Sequence, residues 1–413
     1  MRFNPFNPEI PAKPEFFVGR GKEIEQFSKY LYQTINASPM NIAIVGNRGM
    51  GKTSLLAKYQ NIAKANNCLV VRISNYEGQV QSVKDLSEFI VSNIKREIII
   101  EKPLEKMKQG VKDFISKFKF SVEIEKIELS LKKEDVIISG LLRDKLKEIW
   151  ENLKDEYTAI VILIDEAESI EKIEGSLMFL REVFSRLGED SVNYMLVLSG
   201  KLNFPEKMAE AFSPLNRFFP SLKLSALTNE DITDYLRKKL EAVDVEIDDG
   251  VIKLLVRASE GHPFVLVSMV YNLFDCLSDD ADYIGNKIYK ENRMKLMYSL
   301  DDFFHSLYSP LTPKAKEIIY EIILKLEQKS FTFLQAQKWT RIGRNTISPY
   351  ISEMVRKACL NRLGRGEYEI FHTLFIPYIQ RRYNFDNNDV PNQIPTIEKE
   401  IKSQQKALAE FFS

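Results

Sequence analysis

The stretch NIAIVGNRGMGKTSLLAKYQ, residues 41–60, runs from four apolar residues through three glycines and a Gly-Lys-Thr into helix-forming residues. Ile42, Ala43, Ile44 and Val45 predict a short buried strand and Ser54 to Gln60 a helix, so Gly46 to Thr53 must turn sharply between them. Gly46, four residues, then Gly51, Lys52 and Thr53 is the P-loop spacing. Backbone N–H groups of Gly46, Asn47, Arg48, Gly49, Met50 and Gly51 can converge on phosphate oxygens, and the helix N-terminus at Ser54 adds positive dipole. Lys52 would reach the β and γ phosphates of a nucleotide, and Thr53 would ligate Mg²⁺. The alternative is a glycine-rich turn that binds nothing; a strand before it and a helix after it favour the phosphate site.

Such a site needs a metal carboxylate from a neighbouring strand. TAIVILIDEAESI, residues 158–170, is an uninterrupted apolar run ending in two acids, the pattern of a central parallel strand covered on both faces. Asp165 would hold the metal, and Glu166 would orient and polarise an attacking water. Alone, the two acids would read as an ordinary strand-end turn; with the P-loop they read as its partner.

At 413 residues the chain is long enough for two or three domains with their own cores. Lys plus Arg equals Asp plus Glu at 58 each, so no global charge recruits nucleic acid. Cys68, Cys276 and Cys359 are far apart, without metal or redox spacing, and read as small hydrophobes. The sequence shows no signal core and no apolar run of membrane-span length, which predicts no membrane partner and a cytoplasmic location.

Strands CLVVRISN (68–75) and VNYMLVLSG (192–200) alternate with helical segments, which predicts a parallel α/β sheet. Residues 1–17, rich in Pro and Asn, predict an extended arm over the surface. Residues 18–225 then form the nucleotide domain. It carries an insertion near 100–135, where FKFSVEI and IELSL would form a hairpin pairing Phe120 with Leu131. The hairpin reads either as a packed decoration or as a partner-binding flap. From 226 to 300 the pattern is helical, with an N-cap-like Asn229 and with Pro263 in the first turn of a third helix; this region is a lid.

Residues 301–383 give three helices, then LNRL, a GRG turn and EYEIF, the order of a winged helix-turn-helix. From 310 to 383 there are six Lys and seven Arg against six Glu, thirteen minus six, or plus seven, in a chain whose total is zero. Arg341, Arg344, Asn345, Thr346 and Ser348 crowd the start of the third helix and Arg365 sits at the wing tip, positions suited to double-stranded DNA. A protein-docking module with a solvated basic face is the alternative. Residues 384–413 read as a linker and a C-terminal helix with Ile397, Ile401, Leu408 and Phe411 along one stripe.

With these motifs in view, residues 16–383 resemble archaeal-type P-loop ATPases of the AAA+ and STAND group, relatives of origin-recognition initiators with a C-terminal winged helix. FFVGRGKEIEQF looks like the group's N-terminal box, which implies that Val18, Gly19 and Arg20 lie near an adenine. Ser199 stands where the group keeps a γ-phosphate sensor, or it caps a turn. Arg217 occupies a position similar to an arginine finger, acting across a subunit boundary, or it makes a surface salt bridge. Gly261, His262 and Pro263 resemble the GxP-type motif, which implies that His262 and Pro263 face the nucleotide; His262 could equally cap its helix. Where initiator-type relatives keep a lid arginine, this sequence has Phe264.

The expectation is therefore an α/β P-loop NTPase followed by a helical lid and a winged helix-turn-helix domain. It would bind ATP and Mg²⁺, hydrolyse ATP slowly or on stimulation by a partner, contact double-stranded DNA, and form a homo-oligomer or meet a protein partner. The competing class is a STAND-type signalling or scaffold ATPase whose winged helix makes protein or intramolecular contacts. No small-substrate pocket signature points to a P-loop kinase.

Overall fold

The computed structural model describes residues 2–74, 80–101, 111 and 131–387. The chain forms two compact units: Pro11–Ser225, and the residues up to Ile10 together with those from Ala226 onward.

The first unit is built on five parallel strands, β1 (Ile42–Val45), β2 (Leu69–Ser74), β3 (Ile160–Asp165), β4 (Tyr194–Gly200) and β5 (Ser221–Lys223), in the order β2-β3-β4-β1-β5. Their apolar runs are continuous because both faces are covered. Ile160, Ile162 and Ile164 enter one core while Val161 and Leu163 enter the other, the period of two that a strand imposes. One core takes in α1 (Gly21–Ile35) and α2 (Lys52–Ala65), where the rings of Phe27 and Tyr59 stack 3.9 Å apart. The other receives α3 (Val83–Glu101), α4 (Leu131–Leu153) and α6 (Ser176–Glu189). Short helices α5 (Glu168–Glu171), α7 (Phe204–Ala211) and α8 (Leu215–Phe218) finish the unit. Most of the hairpin expected near 100–135 lies outside the described residues. Leu131 does not pair in a strand; it opens α4, whose buried Ile138, Leu142, Leu146 and Ile149 recur at helical spacing and draw it into the helix.

In the second unit residues 226–300, expected to be a lid, form α9 (Asn229–Glu241), α10 (Asp249–Ser259), α11 (Pro263–Phe274) and α12 (Asn286–Tyr298), with β6 (Glu246–Ile247) paired to β7 (Tyr283–Ile284). The N-cap of α9 is Thr228, not Asn229: Thr228 and Asp231 exchange bonds in a capping box that asparagine one residue later cannot make. After α13 (Asp301–Tyr308) come α14 (Pro313–Leu324), β8 (Ser330–Thr332), α15 (Phe333–Thr340), α16 (Arg344–Arg356), β9 (Leu360–Gly364), β10 (Glu367–Ile370) and α17 (Phe375–Asn387). The three strands form an antiparallel sheet in the order β8-β10-β9. Helix α17 continues through residue 384, where a linker was expected; the C-terminal helix around 397–411 lies outside the described residues.

The N-terminal arm is divided between the units. Phe6 is 1% exposed, its ring against Tyr235 and Phe274, and Lys239 donates to Pro5 O at 2.9 Å. Ala12 N–H instead donates to Ser54 Oγ at 3.0 Å, at the head of α2. Among the described residues no helix is long and apolar enough to cross a membrane. Cys68 and Cys359 are buried and Cys276 half-buried, all as free thiols.

Candidate functional site

The sheet order sets the site. β1 lies between β4 and β5, pairing Val45 with Gly200 and with Lys223, while β2 lies two strands beyond β4. The chain therefore leaves β1 across its neighbours, and the carboxyl ends of β1, β3 and β4 open at a topological switch point. The loop after β1 turns through Gly49 and Gly51, at φ 79° and 84°, a region a side chain rarely adopts. Gly51 is the N-cap of α2 and, having no side chain, caps none of the helix's first amides, which a phosphate can then take up.

Lys52 lies folded over this loop, its ammonium donating to Gly46 O at 2.9 Å and Asn47 O at 3.0 Å. Burial holds its pKa below the ordinary lysine value, against the pull of Glu168, Asp165 and Glu166; Lys201 adds to the lowering. Thr53 Oγ1 donates to Asp165 Oδ2 at 2.8 Å. The two side chains that a divalent cation would need are thus in contact between the first turn of α2 and the end of β3. Asp165 is 7% exposed, and its other oxygen accepts from Glu166 N–H at 3.1 Å. Glu166 is exposed on a left-handed backbone at φ 55°, held by Ser169, whose N–H and hydroxyl both donate to Glu166 O. Ser199, at the end of β4, is fully buried, and its Oγ has no hydrogen-bond partner among the described residues. Its carbonyl accepts from Ala167 N–H at 2.8 Å, which ties β4 to the segment after Asp165.

The structure thus gathers the P-loop, Lys52, Thr53, Asp165, Glu166 and Ser199 at one end of the sheet. Ser54 is occupied by the arm, and Arg48 is exposed. Val18 is half-buried, Gly19 turns at φ 67°, and Arg20 is bonded to Met50 O and Ser225 O. Arg217 is exposed on α8 and forms no ion pair among the described residues. His262 and Pro263 belong to the other unit, where His262 Nδ1 accepts from Val265 N–H at 3.4 Å and its ring lies against Phe303 and Phe371. That is a capping geometry. Two charges that act on Lys52, Glu168 and Lys201, escaped the sequence reading. Glu168 follows the acidic pair by two residues and Lys201 follows Gly200, but only the fold brings either within reach of Lys52.

In the second unit, α15 and α16 are joined by the turn Arg341–Gly343. Ile347, Ile351 and Met354 bury one face of α16, while Arg341, Arg344, Asn345, Thr346 and Ser348 are exposed. Arg365 is exposed at the β9–β10 turn. None of these six makes an ion pair or side-chain hydrogen bond among the described residues, whereas Lys314, Lys329, Arg381 and Arg382 pair with Glu317, Glu260, Asp301 and Asp386.

The parallel sheet with its phosphate loop and acidic neighbour strand is the fold of a P-loop NTPase. Residues 17–198 match the family model of an AAA ATPase domain. The chain is 23% identical over 381 residues to an uncharacterized HTH-type transcriptional regulator of Methanocaldococcus jannaschii, covering 89% of each protein. Among solved structures, a Walker-type ATPase of Pyrococcus abyssi superposes with a TM-score of 0.58 at 16% identity, over 91% of this chain and 99% of that one. The ORC2 protein of Aeropyrum pernix, solved as ADPNP–ADP complexes, superposes with a TM-score of 0.58 at 13% identity, over 93% of this chain and 98% of that one.

Proposed function

We propose that the protein is an ATP-binding and ATP-hydrolysing switch that contacts double-stranded DNA through a winged helix-turn-helix module. The observation that carries the first half is the Thr53–Asp165 contact of 2.8 Å beside the amide-lined turn and Lys52. Thr53 and Asp165 would hold Mg²⁺, which when bound supplies charge opposite the phosphates. Lys52 exchanges its two loop carbonyls for phosphate oxygens. Asp165 keeps the Glu166 amide fixed, so that the Glu166 carboxylate projects from a rigid corner and orients water. The Ser199 hydroxyl, unsatisfied among the described residues, donates to the terminal phosphate, and Arg217, which forms no ion pair among them, acts on a neighbouring copy. His262 and Pro263 are assigned to capping and starting α11.

The DNA half rests on six exposed polar and cationic residues at the start of α16 and on the wing, none of them in an ion pair or side-chain hydrogen bond among the described residues. The order helix, strand, helix, helix, hairpin is that of winged modules whose third helix enters the major groove. The scaffold reading has its own support, since Glu260 in the lid pairs with Lys329 beside β8. Salt separates the two. Affinity for duplex DNA that falls steeply with added salt, and is lost in R341E/R344E/R365E, supports DNA contact; no DNA binding at low salt, with nucleotide binding intact, supports the scaffold.

A further inference from the structure

Two charged side chains stand on either side of the single peptide, Ser225–Ala226, at which the chain passes out of the first unit after β5. On one side, Arg20 is 9% exposed and sits at φ 63°, ahead of α1. Its guanidinium donates to Ser225 O at 2.5 Å and to Met50 O at 3.1 Å, so one planar fork spans the phosphate loop and the last residue of the unit. Its footing is stiff, because the Tyr59 hydroxyl of α2 donates to Glu23 O at 2.8 Å in the first turn of α1.

On the other side, Leu227 N–H donates to Gly261 O at 2.8 Å. Gly261 lies at φ 73°, and a Cβ there would come within 2.5 Å of Leu227 O, so only glycine admits this approach. The residue before it, Glu260, accepts from Lys329 Nζ at 2.5 Å and from Thr373 N–H at 2.8 Å. Lys329 immediately precedes β8 and Thr373 lies just ahead of α17, both in the module that carries α16.

We propose that Arg20 and Glu260 are positioning residues of one strut, which carries a displacement of Met50 on phosphate binding into the C-terminal module. The path runs from Met50 through the Arg20 fork to Ser225, along the chain to Leu227, across to Gly261, and from Glu260 to Lys329 and Thr373. Each bonded step lies within one unit and the crossing between units is covalent, so the strut needs no other contact. It rests on the reading of the first glycine turn as a nucleotide site.

The test uses the full chain, wild type, R20M, E260Q and the double variant, with Mg²⁺ and either ADP or a slowly hydrolysed ATP analogue. Nucleotide affinity is read with a fluorescent analogue, and module response by hydrogen exchange at the Thr373 amide and its neighbours. Wild type is expected to exchange there at rates differing at least about fivefold between the two nucleotides. E260Q is expected to keep nucleotide affinity and lose that difference, R20M is expected to lose it when read at saturating nucleotide, and the double variant should lose no more than either. Wild type that binds nucleotide but exchanges equally in both states overturns the strut and leaves the nucleotide site standing; wild type that binds neither nucleotide overturns both. R20M that loses nucleotide affinity assigns Arg20 to the nucleotide and overturns its positioning role. E260Q that keeps the exchange difference overturns the second half even where R20M is unstable.

Discussion

At Glu166 the backbone itself marks the site. A non-glycine residue at φ 55° costs of order 1–3 kcal/mol, tolerated where surrounding structure fixes it, here the Ser169 and Asp165 bonds. E166G and E166A both remove the carboxylate, so both should lose about 100-fold or more in hydrolysis rate with nucleotide affinity retained. E166G should be the more stable by about 1 kcal/mol, since only alanine keeps the strain; equal denaturation midpoints would remove the strain argument. Ser199 shows the same conflict in its side chain. A buried hydroxyl without a partner costs about 1–3 kcal/mol, so S199A should raise stability by roughly 1 kcal/mol while slowing hydrolysis. A variant both less stable and fully active would show that Ser199 packs and does nothing more. Lys52, Thr53, Asp165 and Glu166 were legible because their spacing along the chain is itself the signal. Glu168 and Lys201 were not, because their influence on Lys52 acts through space.

Helix α16 is set by a carboxylate on its inner face. Glu353, 8% exposed, accepts from Thr312 N–H at 2.8 Å and from Thr312 Oγ1 at 2.9 Å, pinning α16 to the start of α14. E353A leaves those donors unpaired and should destabilise the module by about 1–3 kcal/mol in denaturant titration. R344E, on the outer face, should leave that midpoint within about 0.5 kcal/mol. It should weaken duplex DNA binding and flatten the salt slope by about one unit. The reverse ranking would mean that the faces of α16 are misassigned. Most elements were legible as periods: continuous apolar runs for the parallel strands, helical spacing for the helices of the second unit. Thr228 was missed as a cap because Thr and Asn adjoin and only the Asp231 partner tells them apart. β8 was not among the elements expected over 301–383, because a three-residue strand has no period to read.

For the whole molecule, the division into Pro11–Ser225 and the rest makes the helices after Ala226 and the C-terminal module one body with the first ten residues. Phe6 could have signalled this, since an aromatic in a Pro-Asn segment has little reason to stay in water; composition alone made the arm a surface element. The same body contains a pH-dependent cluster. Burial holds the His372 ring below the ordinary imidazole range, which favours the neutral ring near pH 7. Burial alone would raise the Glu260 carboxyl; a charged His372, the Lys329 ammonium and the Thr373 amide outweigh it and hold it below the usual carboxylate value. With His372 neutral near pH 7, Lys329 and Thr373 carry that effect. Both groups bind protons more readily unfolded. The His372 contribution is therefore present above about pH 6.5 and lost as pH falls below it, with a slope of at most about 1.4 kcal/mol per pH unit. The Glu260 contribution is lost only at lower pH, through its depressed folded value. Unfolding followed by circular dichroism should show stability falling between pH 7.5 and 5.5, and H372N should flatten that slope; an unchanged slope would place the titrating group elsewhere.

The proposed switch depends on a triphosphate held by the first glycine turn, with Mg²⁺ that Thr53 and Asp165 would hold. Equilibrium binding of ATP with and without Mg²⁺ to wild type and K52A tests it most directly. Saturable, Mg²⁺-dependent binding that weakens about tenfold or more in K52A is the predicted result; equal uptake by both proteins, or none by either, would contradict it.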